Sequence, residues 1–261
     1  MDAWKGAALL LVGHGSSRRP EGRAATVRLA EEIRRRNLFA EVRECFWKEP
    51  PFPSLDLVTA PLVYVMPNFA AEGTFARRLI PKRLGLAGRL TDLSGRRVIY
   101  CDPVGSHPGV AALLQSRAEA LCRSGGIAPE TTALLVIAHG SRSGGAGQAP
   151  EAVAAALRAI GRFAEVATAY IEQEPRVAEW PKLVRAPSVV AAPLLISDGM
   201  HASEDLPPLF GLSTPFGGPV AFGGRTVWLM GGLGSDPEVA AMVLDLVRAA
   251  DAMLAKTLIG Q

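Results

Sequence analysis

Cysteine is scarce in this chain: Cys45, Cys101 and Cys122 are its only three, far apart and without a CxxC pair. That excludes a disulfide framework and a thiolate metal motif, and it suits a reducing compartment. Long apolar runs are missing too, as is a signal-peptide cleavage pattern after MDAWKGAALLLVGHG, so a cytoplasmic protein with no membrane partner is expected. The glycine-rich stretch SRSGGAGQ after His139 contains neither GxGxxG nor GKS/GKT, so no nucleotide cofactor is expected. The Arg-His-Gly of histidine phosphatases and the GxSxG elbow of hydrolases do not occur. Basic and aromatic residues are not interleaved as nucleic-acid binding requires, so no nucleic-acid partner is expected. What remains, at 49% hydrophobic and 20% charged residues, is an ordinary globular composition long enough for two domains.

The chain instead has repetition. LLLVGHGSSRRP (9–20) returns as LLVIAHGSRSGG (134–145), the two histidines 125 positions apart. Pro67…Gly73…Pro81 matches Pro193…Gly199…Pro207 with identical spacing, and Gly105-Ser106-x-Pro108 matches Gly234-Ser235-x-Pro237. Glu49-Pro50 is set against Glu174-Pro175. Each half reads as short, nearly continuous apolar strands separated by helical periodicity, which points to parallel βαβ units covered on both faces. Strands are expected at Ala8–Val12, Ala40–Trp47, Pro61–Met66 and Arg97–Cys101, and at Ala133–Ile137, Ala164–Ile171, Ser188–Ala192 and Thr226–Met230. The expected fold is therefore α/β, with two similar parallel-sheet domains related by a pseudo-twofold axis. They are expected to span 1–125 and 126–261, joined through CRSGGIAPETT (122–132).

The halves differ where chemistry would lie. His139 ends the first strand of the second half, Glu172 ends its second, and His201 stands just beyond its third. In such sheets ligands collect at the carboxyl ends of strands. Two imidazoles and a carboxylate make a divalent-metal site with open positions. In the first half His14 remains, while Phe75 faces His201 and Trp47 faces Glu172, so that site is degenerate. His201 and Asp205, four apart, share a helix face, and Asp205 and Glu174 are candidates to orient the ligands from behind. Arg18, Arg19 and Arg142, each soon after an HGS, together with His14, are basic groups able to meet an anionic partner at the same strand ends.

VIAHGSR (136–142), YIEQEP (170–175) and PLLISDGMHASEDLP (193–207), with GSHP (105–108), together resemble the sirohydrochlorin chelatases, the ATP-independent class II cobalto- and ferrochelatases. The resemblance covers both halves. It implies insertion of Co²⁺ or Fe²⁺, the metal being a substrate, into an anionic tetrapyrrole, with His139, Glu172 and His201 as the metal-and-proton residues. Inserting M²⁺ releases two pyrrole protons, and imidazole is the side chain suited to accept them near neutral pH. Residues 1–125 hold 19 basic and 12 acidic residues (+7) and residues 126–261 hold 9 and 13 (−4), so a basic wall for the macrocycle and an acidic one for the metal are expected. A carrier without turnover and a metal-dependent hydrolase are the alternative readings. Either a monomer or a homodimer fits the sequence, as does service to siroheme or to cobalamin synthesis.

Overall fold

A computed structural model describes residues 4–17, 21–140, 148–197, 201–234 and 236–259. The first half begins with β1 (Ala7–Gly13), α1 (Glu21–Arg35), β2 (Glu41–Phe46) and β3 (Leu62–Pro67). It continues through a π-helical turn (Phe75–Leu79) into α2 (Ile80–Leu84), then β4 (Leu90–Leu93), β5 (Arg96–Tyr100) and α3 (Val110–Gly125). The second half repeats this order as β6 (Thr132–Ala138), α4 (Gln148–Ile160), β7 (Glu165–Tyr170), α5 (Trp180–Leu183) and β8 (Ser188–Pro193). A second π-helical turn (His201–Asp205), α6 (Leu206–Leu209), β9 (Gly217–Phe222), β10 (Arg225–Leu229) and α7 (Glu238–Ile259) complete it.

Each sheet has five strands, in the orders β2-β1-β3-β5-β4 and β7-β6-β8-β10-β9. All pairings are parallel except those of the edge strands β4 and β9, which run antiparallel to β5 and β10. These two edge strands add to the four strands expected in each half. β4 and β9 are mostly exposed, so they lack the apolar run that marks a buried parallel strand. The central strands β1 and β6 are buried along their whole length, as a strand covered on both faces must be. Their apolar side chains nucleate two separate cores, one around Leu10, Val65 and Ile80, the other around Leu135, Trp180 and Phe210.

Two small devices recur in both sheets. Arg34 Nε donates to the Val42 carbonyl and Arg158 Nε to the Val166 carbonyl, each at 3.0 Å, closing the outer edge of β2 and β7. Glu41 accepts from the Thr59 and Ala60 backbone N–H groups at 2.9 and 2.8 Å, and Glu165 accepts from the Arg185 and Ala186 N–H groups in the same way. These carboxylates fix the loop that enters the third strand of each sheet.

The compact units do not follow the repeats. One comprises residues 1–107 with 234–261, the other residues 108–233. Helix α3, from the first repeat, packs on α4 and β8; helix α7, from the second, packs on α1 and the turn at 104–106. The boundary expected at 125/126 marks the duplication, whereas packing divides the chain at 107/108 and 233/234. An amphipathic helix records that it needs a sheet to cover but not which sheet. The exchange also changes the charges: the first unit carries 19 basic and 15 acidic residues (+4), the second 9 and 10 (−1). The expected contrast of +7 against −4 is thereby halved.

Candidate metal-insertion site

In both sheets the strand order reverses between β1 and β3, or β6 and β8, because the chain adds β2 or β7 on one side of the first strand and β3 or β8 on the other. A switch of this kind leaves a crevice at the carboxyl ends of those two strands. His139 follows β6 directly and is exposed. The Glu172 backbone N–H donates to the His139 carbonyl at 2.9 Å, so the two candidate residues are held side by side at the ends of β6 and β7. The Leu194 N–H donates to Ile137 O at 2.7 Å and brings the end of β8 to the same edge. Glu172 is half-buried. Around it, burial and then the Glu151 carboxylate push the Tyr170 phenol up to about 12, so it stays protonated beside the strand end.

Gly140 shows why HGS must contain glycine. Its φ is +79°, and a Cβ there would lie 2.8 Å from Gln173 Cγ. In the first unit Gly15 has φ +67° and a Cβ would meet Phe46 Cβ at 2.7 Å. The reversal after the histidine thus needs both the left-handed conformation and the missing side chain.

His201 opens the π-helical turn after β8; its side chain lies outside the described residues, as do Arg18, Arg19 and Arg142. π-Helical turns are rare and concentrate at functional sites, and this one has a twin at Phe75–Leu79. Asp205 closes the turn, is exposed and precedes α6. Glu174 is turned to Arg176, accepting from its N–H at 3.1 Å and its Nε at 3.3 Å. Among the described residues no three His, Cys, Asp or Glu side chains gather as a metal-holding group, the His201 side chain not being among them.

The first-unit counterpart corrects one expectation. The Phe46 N–H donates to Pro51 O and the Tyr170 N–H to Pro175 O; the Lys48 N–H donates to His14 O at 2.9 Å, as Glu172 does to His139. The residue facing Glu172 is therefore Lys48, not Trp47, and Pro175 is matched by Pro51. The shared Glu-Pro dipeptides align out of register by one residue, because the repeats differ in length between β1 and β2. The degenerate site so reads His14, Lys48, Phe75 against His139, Glu172, His201. His14 itself lies edge-on to Phe75 and Phe69, with centroids at 5.1 and 6.3 Å.

The sequence model of the CbiX family matches residues 8–121 and, a second time, residues 133–250. The chain belongs to this family, the sirohydrochlorin chelatases. The probable sirohydrochlorin cobaltochelatase of Halobacterium salinarum is 33% identical over 190 residues, 65% of each chain. Among solved structures, a multi-domain protein from Deinococcus radiodurans, described as structurally similar to chelatases with two additional novel domains, superposes with a TM-score of 0.77. It is 31% identical over 92% of this chain and 54% of its own. The CbiX described as the terminal enzyme of siroheme biosynthesis in denitrifying bacteria superposes with a TM-score of 0.68, 25% identity and coverage of 94% and 98%. The chain thus spans about two thirds or less of the length of the first two relatives. The double match of the CbiX model restates the duplication, and the two five-stranded, mostly parallel sheets are the fold of the family.

Proposed function

We propose that this chelatase-family chain inserts a divalent metal, Co²⁺ or Fe²⁺, into sirohydrochlorin or a closely related anionic tetrapyrrole, without ATP. The observation that carries the reading is the hydrogen-bonded pairing of His139 and Glu172 at adjacent strand ends, with His201 opening the π-helical turn beyond the third strand. The reaction exchanges M²⁺ for two pyrrole N–H protons, so charge balances without a further reactant. His139 and His201 hold the incoming metal and take up the protons. Glu172 offsets the cation's charge and passes protons toward solvent. A carboxylate beside two imidazoles favours a cation that has shed part of its water, and imidazole ligands suit Co²⁺ and Fe²⁺ alike. Arg18, Arg19 and Arg142 are the proposed partners of the substrate carboxylates, and Asp205 a proposed orienting group. Glu174 is a weaker candidate for that role, because its carboxylate is turned to Arg176.

The test is anaerobic absorption spectroscopy of sirohydrochlorin with Co²⁺ or Fe²⁺, comparing wild type with His139→Ala, His201→Ala and His14→Ala. Metallation lost in the first two but kept in the third supports a chelatase working from its second unit. Tight pigment binding by wild type without acceleration of metallation overturns the reading in favour of a carrier. Hydrolysis of model esters that requires His139, with no metallation, would mark a hydrolase.

A further inference from the structure

Helix α3 belongs to the first repeat by sequence, yet it covers the second sheet. It carries a side chain there that its counterpart α7 lacks. From the shared Gly-Ser-x-Pro onward, PGVAALLQSR (108–117) aligns with PEVAAMVLDL (237–246), so Arg117 corresponds to Leu246, a buried leucine. A half-buried guanidinium at that position needs acceptors that an apolar side chain does not.

The loop leaving β10 supplies them. Arg117 Nη1 donates to the Gly232 carbonyl and Nη2 to the Gly231 carbonyl, each at 2.9 Å. Two consecutive glycines give a backbone its greatest freedom, and a planar guanidinium fork fixes two neighbouring acceptors at once. The first unit closes its own loop differently. There the matching residues are Asp102 and Pro103; proline restricts φ, and Ser106 Oγ donates to Pro103 O at 2.7 Å. The fold therefore does not demand an arginine at this place. The unit that keeps the His139, Glu172 and His201 set has one.

The clamped loop is joined through the backbone to the candidate site. The Met230 N–H donates to Ala191 O at 2.9 Å and the Leu233 N–H to Leu195 O at 2.7 Å, so Gly231 and Gly232 lie between two bonds to the β8 chain. Leu195 stands on the stretch of sequence that leads from β8 to His201. Its neighbour Leu194 donates to Ile137 O at 2.7 Å, on the strand that ends at His139. Arg117 thus holds the β10 end of a series of backbone bonds that runs to β8 and on to β6.

We propose that Arg117 is a positioning residue for the metal site of the second unit. It fixes the loop after β10 and, through Leu233 and Leu195, the chain that carries His201 relative to His139. It acts through the backbone, not on metal or pigment. The identity of the site rests on the chelatase reading; its dependence on a residue of the other repeat goes beyond it.

The test reads the Co²⁺ affinity of the full chain by visible absorption without pigment, beside the kinetics of metallation. Loss of the Co²⁺ signal in His139→Ala assigns it to the site. Arg117→Leu, which copies the other unit, is expected to weaken Co²⁺ binding about ten-fold and to lower kcat about as much, with KM for the pigment within about two-fold of wild type. Arg117→Lys keeps the charge without the fork and is expected to resemble Arg117→Leu. Leu113→Ala, buried on the same helix, separates positioning from general loosening: its Tm should fall at least as far while Co²⁺ affinity stays near wild type. Unchanged Co²⁺ affinity in Arg117→Leu, full recovery in Arg117→Lys or an equal loss in Leu113→Ala overturns the proposal. Co²⁺ binding that needs both His139 and Arg117 in a protein that does not metallate removes the chelatase reading and leaves the positioning role. Metallation that survives Arg117→Leu unchanged does the reverse.

Discussion

Replacing Asp251 with alanine should unpin the exchanged helix α7 from the first sheet. The Asp251 carboxylate accepts from the Tyr64 hydroxyl at 2.5 Å and from the Trp4 indole N–H at 2.9 Å. Tyr64 is 2% and Trp4 7% exposed, so neither donor can turn to water when the carboxylate is removed. Burial, and then the bond to Asp251, already raise the Tyr64 phenol well above its ordinary pKa, which keeps it a donor. Hydrogen bonds to a charged acceptor contribute about 1.5–3 kcal/mol each, and Asp251 is only half-buried, so the low end applies to both. The expected loss is about 3 kcal/mol, or about 6–12 °C in Tm for a chain of this size. Asp251→Asn, which keeps one acceptor oxygen, should lose about half as much, and Tyr64→Phe less still. Calorimetry gives the Tm; amide hydrogen exchange should show faster opening along α7 with β6 to β8 unchanged. A shift under about 2 °C for Asp251→Ala, or exchange quickened equally in both sheets, would refute the idea that this carboxylate anchors the helix.

Three further outcomes are expected. Gly105→Ala would set a Cβ 1.9 Å from the Ala70 carbonyl oxygen, in a turn where the Gly105 N–H also bonds Phe69 O; chemical denaturation should show a loss of about 3 kcal/mol or more, and a smaller loss would mean the loop yields freely. Burial opposes ionisation of Glu41, but hydrogen bonds from Thr59 and Ala60 outweigh it and hold its pKa below the usual value. Its contribution to stability is therefore complete above about pH 4.3 and fades as pH falls through the lowered value, so Glu41→Gln should be less stable near neutrality and flatten the acid limb of a stability–pH curve. Burial pushes the Cys45 thiol up to about 12 and raises Cys101 and Cys122 also; the native protein should react with a thiol reagent at pH 8 at least about a hundred-fold more slowly than the urea-unfolded chain.

Much of this was legible in the residues. The inner strands β1, β3, β6 and β8 appear as apolar runs, because a strand buried on both faces has little room for polar side chains. The duplication and the histidines at strand ends follow from the HGS and GSxP repeats. Other features leave weaker traces. β9 reads GGPVAF, and its glycines, proline and mostly exposed face carry no strand signal. Lys48 was hidden behind a false match: two Glu-Pro pairs invite alignment, and only the hydrogen bonds from Phe46 and Tyr170 reveal the one-residue offset. A π-helical turn depends on one extra residue in the hydrogen-bond ring, which HASED does not advertise. The clamps made by Glu41 and Glu165 could have been sought, since both are acidic residues at the first position of a strand with loop N–H groups to satisfy.

The exchange of α3 and α7 bears on how such a chain could arise. A single repeat with this arrangement cannot cover its own sheet with its own last helix, so it folds completely only in pairs, at a rate and stability set by concentration. Joining two copies through residues 126–131 replaces that concentration with the far higher effective one of a short tether. Fusion also ends the enforced identity of the partners. In a pair of identical chains both edges must carry the same residue; in the joined chain Glu172 stands at one edge and Lys48 at the other, so the two edges are free to differ in task.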